Sequence, residues 1–222
     1  MGIQAWEARQ APSPGVAAAG KPAALSGGSE PVEVSRLDFD ALRKRVAGCQ
    51  ACALHKSRTQ TVFGTGNPDA DWMIVGEAPG AEEDRQGEPF VGRAGLLLNA
   101  MLEAAGYARA DVYIANILKC RPPGNRDPKS EEADCCTPYL YRQIELVQPK
   151  LIVCVGRVAA QRLLKTDAPL GRLRGRVHRL DDMDFPVIAT YHPAYLLRQP
   201  REKRKAWQDL RLALEVSGKS PS

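Results

Sequence analysis

Four short apolar runs along the chain predict buried strands. They are WMIVG at 72–76, VYIANI at 112–117, LIVCVG at 151–156 and PVIAT at 186–190. Unbroken apolar runs of this length are typical of strands covered on both faces. Helical patterns separate the first three, AGLLLNAMLEAAG at 94–106 and SEEADCCTPYLYRQIELV at 130–147. This alternation predicts an α/β fold: a single domain with a central, mainly parallel four-stranded sheet flanked by helices as an α/β/α sandwich.

Further patterns predict helices and an edge strand or hairpin around this sheet. An apolar helical face over 35–48 predicts a first helix, RVAAQRLL after Gly156 predicts another, and the last is expected over 201–216. Segment 171–180, GRLRGRVHRL, alternates basic residues with others and favours an edge strand or a hairpin. Ligands of such sheets bind beyond the carboxyl ends of the strands, so the loops at those ends are where we look for chemistry.

The ends of the chain differ from its middle. Residues 11–34, APSPGVAAAGKPAALSGGSEPVEV, are rich in Ala, Pro, Gly and Ser and lack a sustained amphipathic period. We expect a disordered extension over 1–34, one folded domain over 35–217 and a flexible tail over 218–222. No stretch approaches the roughly 20 apolar residues of a membrane-spanning helix, and a signal-peptide layout is missing. The sequence predicts a soluble cytoplasmic protein without a membrane partner.

The loop after the first predicted strand has the composition of a ligand-binding loop. It reads GEAPGAEEDRQGEPFVGRAG over 76–95, with five glycines and two prolines, and a predicted helix follows it. Glycines allow close backbone approach to a small ligand, and a helix N-terminus favours negative charge. A loop of this kind also commonly just turns the chain. Phe90, an apolar ring in a polar loop, favours the binding interpretation because it can stack on a flat heterocycle.

Cysteine spacing suggests a metal site. Cys49 and Cys52 form a C-x-x-C pair, and Cys120 and Cys136 stand singly in the third loop and the helix after it. In a chain without an export signal, such cysteines are more typical of metal binding than of disulfides. The spacing is compatible with structural zinc and with a four-thiolate iron-sulfur cluster, and it does not select between them. Cys154, inside an apolar run, is expected to be a buried filler.

Two other features bear on function. His192 directly follows the last predicted strand, a better position for catalysis than most histidines occupy, although a lone histidine is more often structural. The net charge is +5, and the window 165–205 holds ten Lys or Arg against five Asp or Glu. Such a run is commonly a solvated face, and it is also the footprint of nucleic-acid binding.

The motifs in these loops resemble those of the family 4 uracil-DNA glycosylases, a branch of the wider uracil-DNA glycosylase superfamily. GEAPGAEED at 76–84, GEPFVGRAG at 87–95, NILKCRPPGNRDP at 116–128 and HPAYLLR at 192–198 occur in the family's order and spacing. The resemblance covers about residues 36–215. It implies a monomeric base-excision repair enzyme that hydrolyses the N-glycosidic bond of deoxyuridine in single- and double-stranded DNA, releasing uracil and leaving an abasic site.

The resemblance also implies a base pocket. The backbone around Glu77 and Ala78 lines it, Phe90 stacks on the base, and Asn116 reads the polar edge. Glu83 is expected to obstruct the methyl group of thymine, because one methyl contributes too little affinity for discrimination without steric exclusion.

Catalysis is assigned by the same resemblance to His192, Asn116 and Glu77. His192 stabilises the anion that develops on uracil O2, and the flat base is expected to fit between its imidazole and the ring of Phe90. Related glycosylases orient water with an Asp or Asn one residue after the position of Glu77. Ala78 has no such group, so Glu77 itself is the candidate.

For the cysteines, the resemblance implies a structural [4Fe-4S] cluster held by Cys49, Cys52, Cys120 and Cys136. Of the two adjacent cysteines, Cys136 rather than Cys135 keeps the family's spacing from KCRPP.

DNA contact is expected at Leu196, Leu197 and Arg198, which the resemblance places on a loop that enters the minor groove. Ala194 stands where the family usually has Ser, so one phosphate contact is expected to be missing. Two alternatives remain: a relative that stays covalently joined to DNA, and a non-catalytic iron-sulfur DNA-binding module. The first carries a basic, histidine-containing insertion that KCRPPGNRDP lacks, and the second is expected to lack a complete pocket.

Overall fold

The computed structural model describes residues 34–181 and 183–219. Within them six strands form one sheet: β1 (Thr65–Gly66), β2 (Trp72–Gly76), β3 (Tyr113–Asn116), β4 (Leu151–Val155), β5 (Val177–Leu180) and β6 (Phe185–Thr190). The helices are α1 (Phe39–Ala47), α2 (Ala81–Gln86), α3 (Arg93–Ala104), α4 (Ser130–Val147), α5 (Arg157–Leu163), α6 (Leu170–Leu173), α7 (Pro193–Arg198) and α8 (Lys203–Val216). Short 3-10 turns include Ala53–Lys56, Arg109–Asp111 and Pro123–Asn125.

The sheet has the order β1-β3-β2-β4-β6-β5. Its four central strands are the four predicted apolar runs, and they pair in parallel. The expected count of four was too low, because antiparallel strands β1 and β5 flank them. Thr65–Gly66 is too short to give a sequence pattern, whereas β5 lies in the segment expected to form an edge strand or hairpin. The chain leaves β2 first to β3 on one side and later to β4 on the other, so the crevice at their carboxyl ends is a topological switch point.

Side chains of the parallel strands alternate between two apolar layers. Met73 and Val75 of β2 pack toward α4 and α5, together with Leu140, Ile144 and Leu163. Trp72 and Ile74 point the opposite way, toward α3 and α8, and join the cluster with Leu98, Leu102, Leu210 and Leu214. Helices therefore cover both faces of the sheet, and the α/β/α sandwich expected from the sequence is confirmed. All five residues of β2 are buried, which explains its unbroken apolar run.

Side-chain capping contacts mark the start of two of the predicted helices, and the first begins at residue 39 rather than at 35 as expected. In α4, the Glu132 carboxylate accepts from Lys129 N at 2.9 Å, in the first turn. The first helix begins at Phe39, where the Asp38 side chain accepts from Ala41 N at 2.8 Å. None of the described helices is long and apolar enough to cross a membrane.

The predicted domain boundaries stay predictions, because residues 1–33 and 220–222 lie outside the described part of the chain. The expected extension over 1–34 lies outside the described residues except for Val34, which is buried against Leu42, Val46, Phe63 and Tyr139. Of the expected tail over 218–222, Gly218 and Lys219 are described, and the Lys219 ammonium lies 3.8 Å from the centroid of the Tyr107 ring.

Candidate active site and cysteine site

A pocket of about 500 Å³ opens at the switch point of the sheet, a volume typical of small-ligand sites. The loops that follow β2, β3 and β6 form its walls. Six residues expected to bind the base all line it, namely Glu77, Ala78, Glu83, Phe90, Asn116 and His192. The structure therefore brings together residues from four separate sequence motifs.

Phe90 forms one wall in a strained backbone conformation. Its φ is 54°, in the left-handed region, where a bulky residue costs about 1–3 kcal/mol. The ring covers Gly76, the last residue of β2: a Cβ atom there would lie 2.7 Å from the Phe90 ring and 2.3 Å from Asn116 Oδ1. Because Gly76 has no Cβ atom, the Phe90 ring and the Asn116 side chain can lie directly against the end of β2, at the floor of the pocket.

The rings of Phe90 and His192 stack directly on one another. Their centroids are 5.5 Å apart and their planes are inclined by 29°. A base sandwiched between two rings needs about 7 Å, twice the contact distance between carbon atoms. The expected fit of uracil between these two rings is therefore wrong for this conformation. In this conformation a base can lie on one ring only.

Asn116 ends β3 with its amide inside the pocket. The residue is 2% exposed, and its Oδ1 has no hydrogen-bond partner among the described residues. A buried amide oxygen left unpaired costs about 1–3 kcal/mol, which a ligand donor at this position recovers. An amide also offers two N–H donors, so the Asn116 side chain can accept one N–H and donate to one carbonyl of a planar base.

His192 is held as a neutral donor. Its Nδ1 accepts a hydrogen bond from Ala194 N at 3.1 Å, at the N-cap of α7. Because Nδ1 is the acceptor, the proton of the neutral ring lies on Nε2. Burial lowers the pKa of His192 to about 4, with the positive charge of Arg198 acting in the same direction and Glu83 opposing it. Near neutral pH the imidazole therefore offers an uncharged N–H.

Glu83 has a second structural task besides facing the pocket. One carboxylate oxygen accepts from Gly80 N at 3.1 Å, and the other accepts from Val91 N at 3.1 Å and Gly92 N at 3.3 Å. The side chain thus joins the start of α2 to the segment just after Phe90. Its expected role against the thymine methyl remains a prediction, and these three amide contacts were not foreseen from the sequence.

Glu77 carries the most perturbed carboxyl group of the pocket. Burial raises the pKa of Glu77 to about 7; the negative charge of Asp127 adds to the rise, and Arg157 opposes it. Asp127 and Arg157 form an ion pair at 2.7 Å, and Asp127 also lines the pocket. Sequence reasoning missed both residues, although Asp127 lies in the motif NILKCRPPGNRDP.

The three residues expected to contact DNA have unequal exposure. They lie on the short helix α7, where Leu196 is 1% exposed and lines a small apolar cavity together with Leu97, Met101 and Trp207. Its side chain is not available to DNA in this conformation, so the expectation for Leu196 is corrected. Leu197 is 37% exposed, and Arg198 is exposed and lines the pocket mouth.

Five cysteines surround a second cavity. Cys49, Cys52, Cys120, Cys135 and Cys136 all line it. Two of the sulfurs have hydrogen-bond donors: Arg58 donates to Cys120 Sγ at 3.1 Å, and the Tyr139 hydroxyl lies 3.3 Å from Cys49 Sγ. Donors of this kind are typical of the surroundings of metal-bound thiolates.

The cysteines around this cavity are not arranged as a site for a single metal ion. Among the residues that the structure describes, no three His, Cys, Asp or Glu groups converge closely enough to hold one metal ion. Cys136 is buried, whereas the partly exposed Cys135 directs its thiol to Ala51 O at 3.5 Å. This difference supports Cys136 as the fourth ligand. Cys154 is buried in β4, away from the other five.

Comparison with known proteins places the chain in a family. The sequence model of the Uracil DNA glycosylase superfamily matches residues 63–211. The type-4 uracil-DNA glycosylase of Archaeoglobus fulgidus is 44% identical over 82% of this chain and 94% of its own, and that of Thermotoga maritima is 44% identical over 72% and 83%. A DNA polymerase of Bacillus phage SP01 is 32% identical over 71% of this chain but only 17% of its own. The chain belongs to the uracil-DNA glycosylase superfamily, in its type-4 branch.

Proposed function

We propose that this protein excises uracil from DNA by hydrolysing the N-glycosidic bond of deoxyuridine, the first step of base-excision repair. The observation that carries the proposal is the unpaired, buried oxygen of Asn116 in the same pocket as the Nε2–H of His192. Uracil presents an N3–H donor between two carbonyl acceptors, and the Asn116 amide is complementary to one side of that pattern. Phe90 lines the same pocket and is the proposed flat apolar partner for the face of the base.

The neutral imidazole of His192 acts on the leaving base. As the glycosidic bond lengthens, negative charge collects on the uracil oxygens and positive charge on the sugar. A fixed N–H donor in a water-poor pocket stabilises that anion without reorganisation when the bond breaks. The contact at Nδ1 holds the ring in one orientation, and the low pKa keeps it from carrying a competing positive charge before the reaction.

Glu77 is the candidate for handling the attacking water. With a pKa of about 7 its carboxyl group is near half ionised at neutral pH, where a general base is most effective. The negative charge of the Glu77 carboxylate also stabilises the positive charge that develops on the sugar. The pair formed by Asp127 and Arg157 adjusts this pKa from the pocket rim.

We further propose that Cys49, Cys52, Cys120 and Cys136 hold a [4Fe-4S] cluster. When bound, the group supplies a covalent bridge between the segment after α1, the loop after β3 and helix α4, and no redox step is assigned to it. The cysteine cavity, with donors from Arg58 and Tyr139 to the sulfurs, supports this assignment.

The proposed partner is uracil-containing DNA, single- or double-stranded, acted on by a monomer. Arg198 lines the pocket mouth, where a DNA phosphate is expected. The exposed Leu197 is the next residue along the chain, where the space left by the extruded base is expected. Extrusion costs a few kcal/mol, which contacts of this kind offset.

One assay tests the proposal against both alternatives. The purified protein is incubated with oligonucleotides that contain uracil, single-stranded or opposite guanine, and matched ones that contain thymine. Uracil release with alkali-labile abasic sites is the expected result, and Asn116→Ala should lose it. A denaturation-resistant protein–DNA adduct would identify the covalent relative instead. Binding without any base release would identify the non-catalytic module.

A further inference from the structure

Phe90 adopts its unfavourable backbone conformation because the peptide groups on both sides of it are held. On the C-terminal side, Glu83 accepts from the backbone amides of Val91 and Gly92. Next to these contacts, the Phe90 carbonyl lies against Gly95 at the start of α3, where a Cβ atom would be only 1.8 Å from its oxygen. These contacts leave the backbone little room to relax.

The N-terminal side is held by Arg109, a residue outside the pocket. Its guanidinium donates to Pro89 O at 2.5 Å from one nitrogen, and to Asn99 Oδ1 at 3.1 Å from another. The arginine lies on the 3-10 turn Arg109–Asp111 before β3 and is partly buried. It therefore joins three segments: the pocket loop, helix α3 and the turn that leads into the central sheet.

Pro89 makes this contact more important. A proline nitrogen has no N–H, so the residue just before Phe90 cannot anchor itself by donating to a neighbour. Its carbonyl is the only hydrogen-bonding group it offers, and that group is taken by Arg109. Pro89 itself is buried, so removing the arginine leaves its carbonyl oxygen buried without this hydrogen-bond donor.

We infer that Arg109 is a positioning residue for the reaction, which together with Glu83 clamps Phe90 so that its ring faces the base. The inference rests on the proposed function. Arg109 touches no part of the pocket; it acts through Phe90 alone. Without the clamp, Phe90 relaxes to a negative φ and its ring leaves the floor at Gly76, so the extruded base loses its platform.

The test is a double-mutant cycle on the full-length protein. Single-turnover excision from single-stranded uracil DNA is measured for wild type, Arg109→Met, Phe90→Ala and the double variant. Arg109→Met is expected to lower the rate at saturating DNA about tenfold, the scale of the strain that the clamp sustains. In the Phe90→Ala background it should have no further effect, because the residue through which it acts has been removed.

Three further measurements separate positioning from general stability. Affinity for abasic product DNA should not change, because Arg109 is not expected to meet DNA. Arg109→Lys, which keeps one donor for Pro89 O, should recover part of the lost rate. The matched control is Arg142→Met, which removes another arginine that donates to a backbone carbonyl, Leu37 O at 2.7 Å, remote from the pocket; it should leave the rate unchanged.

The outcomes are distinguishable. If wild type releases no uracil, the proposed function itself fails. If wild type is active and Arg109→Met keeps its rate, or if the two substitutions lower the rate independently, the inference fails. Should Arg109→Met not fold, Asn99→Ala removes the second partner of the guanidinium and must produce a smaller loss that again disappears in the Phe90→Ala background.

Discussion

The imidazole of His192 and the ring of Phe90 stack on each other at 5.5 Å between centroids. Each therefore buries a face of the other, and the apolar contact contributes to keeping the imidazole neutral. Phe90 is also only 6% exposed, so a base that stacks on its ring has to displace part of this contact. The proposed donor to the rim of that base, where anionic charge develops, is the Nε2–H of His192.

Replacing His192 by alanine is expected to lower the single-turnover rate by about 10²–10³-fold, the effect of losing one donor to an anion. The fold should survive, because the ring is only partly buried. The matched control is His178→Ala, on edge strand β5, whose ring contacts Leu173 O at 2.6 Å; it should retain activity. Rate and thermal unfolding are measured together. An unchanged rate in His192→Ala would remove this residue from the mechanism.

The excision rate should rise with pH through about pH 7 and then level off. A raised pKa means that Glu77 loses its proton only near pH 7, and a base acts in its deprotonated form. Protonation of His192 does not interfere in this range, since its pKa is about 4. Glu77→Gln should flatten the profile and lower its plateau. A wild-type profile without an inflection between pH 6 and 8 would exclude Glu77 as the base.

Arg157 offers a second check on the same group. Its positive charge lowers the pKa of Glu77 and partly offsets the burial. Arg157→Gln removes that charge and leaves Asp127 without its ion-pair partner, so the inflection should move to higher pH. Arg162→Gln, a nearby surface substitution whose partner is Asp134, should leave the inflection in place. A shift to lower pH on losing Arg157 would contradict the assigned charges.

Cys136→Ser is expected to remove the brown colour and iron of the purified protein, whereas Cys135→Ser should retain both. Both residues line the shared cavity, but Cys136 is buried, whereas the partly exposed Cys135 directs its thiol to Ala51 O. Visible absorbance and iron content are compared in the two variants, because a four-thiolate cluster contains iron. A fully active protein that contains zinc and no iron would refute the cluster assignment.

Two adjacent leucines should have opposite phenotypes. Leu196→Ala removes a fully buried side chain and is expected to cost about 2–5 kcal/mol of unfolding free energy. Leu197→Ala should leave stability nearly unchanged and lower excision from double-stranded DNA more than from single-stranded DNA. An apolar side chain inserted between base pairs helps only where a base must leave a duplex. Equal losses on both substrates would remove Leu197 from base extrusion.

The sequence was sufficient for the parts of the fold that depend on local pattern. Unbroken apolar runs located β2, β3, β4 and β6, and the motifs located Glu77 and His192. Strand β1 was missed because two residues carry no periodicity. Burial of Leu196 was missed because a short motif does not show which face of a one-turn helix meets α3.

Arg109 was missed for a different reason. It lies 20 positions from Pro89 and outside every recognisable motif, so only the folded chain brings the two together. The direct stacking of Phe90 on His192 is likewise a tertiary relationship. A sequence shows that both rings belong to one pocket, but the spacing between them depends on the positive φ of Phe90 and on the depth of Gly76.

The two outer strands also influence how the protein behaves in solution. β1 is two residues long, and β5 is a four-residue strand in which His178 and Arg179 interrupt the apolar residues. A sheet whose margins are this short and this polar presents few unpaired amides and carbonyls to another molecule. Parallel strands pair slowly, and before they have paired they are prone to aggregate with other chains. Once the domain has folded, the two outer strands shield them from pairing with another molecule.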